Sequence, residues 1–67
     1  MTKLRGFVRK ETAQAILFEI IEDDYRYLQW KTLWFPKSRI QLPKHLYGKV
    51  ISIYIPEWLY EKHIPKG

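Results

Sequence analysis

Four residues punctuate the second half of this chain: Pro36, Pro43, Gly48 and Pro56. A proline fixes φ and removes a backbone donor, so it ends a strand, sits on an edge or opens a helix. Gly48, following Tyr47, is the natural left-handed turn residue. Only short elements fit between these stops. Lys49 to Ile55 is the clearest strand, with Ile51, Ile53 and Ile55 on one face and Val50, Ser52 and Tyr54 on the other. Pro56 fits the first position of a helix, and Glu57 suits the positive end of its dipole. A short helix is expected from about Pro56 to His63, ended by Pro65 and Gly67.

The first half is read by periodicity. Lys3 to Lys10 places Leu4, Phe7 and Val8 around Gly6, which fits a strand with a bulge at the glycine. Residues 14–22 fit two templates. Ala13, Ile16, Leu17, Ile20 and Ile21 have helical spacing, whereas Ile16, Phe18 and Ile20 alternate as a strand face. The β-branched and aromatic content favours the strand, as does a compact turn at Glu22-Asp23-Asp24 leading into a second aromatic run. Tyr25 to Phe35 is then read as one strand, with Arg26, Leu28, Trp30, Thr32 and Trp34 on one face and Tyr25, Tyr27, Gln29, Lys31, Leu33 and Phe35 on the other. Ser38 to Leu42 is a short further strand with Ile40 and Leu42 inward.

These elements predict a mainly β fold: a small SH3-like or OB-like barrel of four to five strands with a short C-terminal helix. The alternative is α+β, with a helix at about 11–22 on a three-stranded sheet. Sixty-seven residues allow one domain, 1–67. A chain of this size buries only about 60% of its unfolded surface. Without cysteine it has neither disulfides nor thiolate metal ligands, so large rings must supply the core. Absence of both Cys and Asn resembles the composition of thermophile proteins. No run approaches the roughly 20 apolar residues of a membrane span, and the N-terminus lacks a signal-peptide pattern. The chain is expected to be soluble and cytoplasmic, in the host cytoplasm if viral.

Charge is unevenly spread. Residues 1–10 carry +4, residues 11–24 carry −5 and residues 25–50 carry +6, within a net charge of +5. The pI near 9.6 exceeds the value that marks a nucleic-acid footprint. Between Tyr25 and Arg39, five rings are interleaved with Arg26, Lys31, Lys37 and Arg39. Rings stack on bases and cations pair with phosphate, which is how single-stranded nucleic acid is held without sequence preference. The bland alternative is a ring-filled core beneath a solvated lysine surface.

With Arg26, Trp30 and Trp34 turned inward, the outward candidates are Tyr25, Tyr27, Lys31, Lys37, Arg39, Lys44, Lys49 and Tyr54. Trp34 is then a core anchor, Ser38 a turn cap, and Trp58 a seal on the open end of the barrel. A second class of function is a protein-interaction module or homodimer acting on a host or replication protein, since aromatics and Arg are favoured interface residues. In that case Trp58, Leu59 and Tyr60 dock the partner. Enzyme readings are weak. His45 and His63 have no metal-ligand spacing, Glu22, Asp23 and Asp24 read as turn acids, and the glycines are isolated, so no catalytic residue, metal or cofactor is expected.

Two segments carry a resemblance. Trp34-Phe35-Pro36-Lys37-Ser38-Arg39-Ile40 looks like a W-[hydrophobic]-P-K-S-x-[IV] signature, and Ile53-Tyr54-Ile55-Pro56-Glu57-Trp58-Leu59 like a V-x-I-P-x-W-L companion. Over residues 13–60 the chain resembles short, mostly uncharacterised proteins of phages and of archaeal viruses or plasmids. The resemblance implies a mobile-element origin and a role near replication or recombination, and no particular activity.

Overall fold

The computed structural model describes residues 1–64. Its elements are β1 (Thr2–Glu11), β2 (Ala15–Asp23), β3 (Thr32–Pro36), a 3-10 turn (Lys37–Arg39), β4 (Ile51–Ile55) and α1 (Glu57–Lys62). The strands form one antiparallel sheet in the order β3-β2-β1-β4. The fold is mainly β, as expected, and the sheet is open: β3 and β4 are its edges. Gln41 alone continues the pairing beyond β4, bridging to Tyr54.

Alternation builds the core. Leu4 and Val8 of β1, Ile16, Phe18 and Ile20 of β2, Phe35 of β3 and Ile51, Ile53 and Ile55 of β4 are all buried on one face. Period two therefore wins over the helical template in residues 14–22, because a helix would leave Phe18 off the apolar stripe. Leu28, Ile40, Leu59 and Tyr60 close over that face from the connections and α1. Thr12 sets the β1–β2 turn: its hydroxyl accepts the Ala15 N–H at 3.0 Å.

The pairing breaks register at Gly6, as expected, although the bulged residue is on β2 rather than the glycine itself. Register shifts between Arg5 and Gly6, where β2 carries the extra residue Ile21, and shifts again between Val8 and Lys10. A Cβ on Gly6 would lie 1.8 Å from the Glu19 carbonyl oxygen, so only glycine admits this approach of the strands.

Several expectations are corrected. The strand expected from Tyr25 begins only at Thr32, because residues 24–31 form a loop with Arg26 and Trp30 at φ 62° and 69°. Asp23 ends β2 rather than making a compact turn; its carboxylate accepts the N–H groups of Tyr25 (3.1 Å) and Leu28 (2.9 Å), which diverts the backbone from the ladder. The register with β2 also reverses the expected facing. Leu33 and Phe35 lie on the core side opposite Phe18 and Ile16, whereas Trp34 stands on the outer face opposite Leu17. Arg26 and Trp30 are exposed.

Ser38 to Leu42 is a 3-10 turn and a single bridge instead of a strand, although Ile40 is inward as expected. No side-chain cap closes that turn. β4 begins at Ile51 rather than Lys49, and Pro56 occupies the N-cap position of α1 rather than its first helical position. Trp58 is exposed and seals nothing; Leu59 and Tyr60 are buried in its place. The expected helix stop at Pro65 and Gly67 lies outside the described residues.

Candidate nucleic-acid interface

Two tyrosine regions differ in charge. Tyr25 and Tyr27 come from the 24–31 loop, and each is 59% exposed. They line a cleft with Glu57, Tyr60, Glu61 and Ile64. The Tyr25 and Tyr60 rings meet at 5.5 Å with a 57° tilt. The Tyr60 hydroxyl donates to Asp23 Oδ2 at 2.6 Å. Burial first, then that bond and the charge behind it, push the Tyr60 phenol well above its ordinary value. Carboxylates therefore border these phenols. Among the described residues no cation lines the cleft of Tyr25 and Tyr27, so the cationic border expected for them is not found there.

The second region runs along β4. Tyr54, 40% exposed, and Ser52 share the outer face. Across the β1–β4 ladder Lys3 stands opposite Tyr54 and Arg5 opposite Ser52. On the free edge a groove is lined by Gln41, Leu42, Pro43, Ser52 and Tyr54. Through Pro43 and Ser52 it continues into a groove lined by Lys44, His45 and Lys49. Three expected residues, Tyr54, Lys44 and Lys49, thus come together. Lys3, Arg5 and His45 join them.

The other expected cations are dispersed. Lys37 is paired with Glu11, which also accepts the Tyr47 hydroxyl at 2.9 Å. Hydrogen bonds from Lys37 and Tyr47 hold the Glu11 carboxyl below the usual range, while the Tyr47 phenol is raised, chiefly by the same bond. Lys31 is half-buried, and its charge acts on His63. His63 packs edge-on against Phe35 at 5.6 Å; burial first, then Lys62 and Lys31, lower its pKa. Arg39 is exposed in the 3-10 turn. The remaining ion pairs among the described residues are Arg5–Glu22 at 3.2 Å and Arg9–Glu19. Lys3, Lys44 and Lys49 accordingly have no carboxylate partner among those residues.

Sequence reasoning missed Lys3 and Arg5, although their signal was present: they alternate with Leu4 and Gly6 and so share the face opposite the core. It also missed Trp30, 71% exposed, whose left-handed backbone had no local signal. Among the described residues no cluster of three or more His, Asp or Glu is placed to hold a metal, and no helix is long and apolar enough to cross a membrane. No family model matches the chain, and no curated protein or solved structure matches it.

Proposed function

We propose that this protein binds single-stranded nucleic acid without sequence preference along the outer face and free edge of β4. The observation that carries the reading is that Lys3 on β1 stands opposite Tyr54, while the groove beside Tyr54 adjoins, through Pro43 and Ser52, the one lined by Lys44 and Lys49. A base stacks on the Tyr54 ring while its phosphates meet Lys3, Lys44 and Lys49. Among the described residues α1, of six residues, is the one α-helix, too short to lie along a groove and read base edges. The SH3-like or OB-like roll belongs to the same proposal, supported by the Gln41–Tyr54 bridge that carries pairing past β4. So does the origin in a virus or other mobile element, supported by the W-x-P-K-S and I-P-x-W-L segments.

The test is titration of a labelled single-stranded oligonucleotide at several salt concentrations. Tyr54→Thr, which keeps strand propensity, should cost about 1–3 kcal/mol of binding. The Lys44→Ala, Lys49→Ala pair should reduce the slope of log K against log salt by about 1.4, since each lost phosphate contact on a single strand removes about 0.7. Absence of binding at low salt, or unchanged slopes in the lysine variant, overturns the reading.

A second reading, a protein-interaction surface or homodimer, has its own observation. Trp30 holds a backbone conformation unfavourable for a bulky residue and yet presents its ring to solvent. Light scattering at micromolar concentration separates the readings: a dimer dispersed by Trp30→Ser favours the second.

A further inference from the structure

The cleft between the 24–31 loop and α1 has the opposite chemistry to the β4 edge. Three tyrosines, Ile64 and two carboxylates line it. Aromatic faces carry negative potential and attract cations, most effectively where water is thinned out. Glu57 and Glu61 are one helical turn apart on α1 and therefore project to one side. Neither is ion-paired among the described residues. Like charges at this spacing destabilise a helix, and Glu61 additionally lies toward the negative end of the dipole. A cation in the cleft relieves both penalties.

The cation's type follows from the lining. Two carboxylates without a third hard ligand do not make a divalent-metal site, and among the described residues no metal-binding group of three is present. Rings with two flanking carboxylates suit a bulky organic cation that sheds water readily. The walls are fixed in advance. The Asp23 carboxylate holds Tyr25 and Leu28 by their N–H groups and Tyr60 by its hydroxyl. Loop and helix are thereby joined at the base of the cleft.

We propose that Tyr25, Tyr27, Glu57 and Glu61, standing over the buried ring of Tyr60, form a binding site for a quaternary ammonium group. Its sources are the side chain of a trimethylated lysine in a partner peptide or a free choline-like molecule. This site shares no lining residue with the β4 grooves.

The experiment is an NMR titration of the full chain with choline, with a trimethyllysine peptide and with the same peptide unmethylated. Saturable shifts at Tyr25, Tyr27 and α1 are expected with both ammonium probes, and about tenfold weaker binding of the unmethylated peptide. Tyr27→Leu should weaken binding about tenfold, and Tyr27→Phe should restore it, because the ring and not the hydroxyl is used. Glu57→Gln with Glu61→Gln should weaken it further while Tyr27 is intact. Both sites are exposed, and thermal melts of each variant check the fold. A trimethyllysine peptide binding much more tightly than choline assigns a peptide partner, and equal binding assigns a free ammonium. No saturable shift at tens of millimolar probe, or equal binding of a neutral tert-butyl analogue, overturns the proposal.

Discussion

Single residues decide where this backbone leaves its ladder. Gly6 admits an approach that no side chain permits, so Gly6→Ala should cost about 3 kcal/mol, measured by urea denaturation. Asp23 is buried and accepts three hydrogen bonds. In Asp23→Asn, an amide NH2 must replace one carboxylate oxygen and face the N–H of either Tyr25 or Leu28, leaving a donor unmet at a cost of about 2 kcal/mol. Tyr60 gives a pH test with a definite sign. Its phenol is raised in the folded state, so its contribution is complete below the ordinary value of 10.0 and is lost as pH rises through the folded value. The stability advantage of wild type over Tyr60→Phe should therefore narrow by about 1.4 kcal/mol between pH 8 and pH 11, one pH unit of linkage above the unfolded phenol. An unchanged gap would show that Tyr60 ionises equally in both states.

At the scale of elements, two connections hold the sheet's open ends. The 37–50 segment is tied near both of its ends by the Lys37–Glu11–Tyr47 cluster. Glu11→Gln should speed amide exchange in residues 41–50 while leaving the global unfolding midpoint nearly unchanged, because the cluster is exposed. The Glu11 carboxyl is lowered in the folded state, so its support is present above the ordinary 4.5 and fails as pH falls through the folded value. At the C-terminal end of α1, His63 has a depressed pKa, so unfolding takes up a proton below the ordinary 6.5. Stability should decline as pH falls from 7.5 to 5, and His63→Gln should flatten that decline in a denaturation series. β2 and β4 were legible because their alternation runs uninterrupted through Ile16, Phe18 and Ile20 and through Ile51, Ile53 and Ile55. The start of β3 was not legible. Tyr25 to Lys31 has strand composition throughout, and the diversion depends on an Asp23 carboxylate satisfied partly by Tyr60, 37 residues away.

At the scale of the whole molecule, one small core carries the stability, roughly 3–10 kcal/mol for a chain of this length. Phe18 is fully buried at its centre. Phe18→Ala should cost about 3–5 kcal/mol and leave much of the population unfolded at 25 °C by near-UV circular dichroism. The same small core explains the surface. Thirteen residues form the buried cluster, and Trp30, Trp34 and Trp58 all remain outside it. The sequence by itself determined the strand class, the register break at Gly6, the inward isoleucines of β4 and the terminal helix, because period and turn chemistry are local properties. It also determined the basic excess. Only the tertiary structure decided which tyrosines meet cations and which meet acids. That assignment depends on the pairing of β1 with β4 and on the docking of α1 over Asp23, contacts between residues far apart in the chain, which no local pattern encodes.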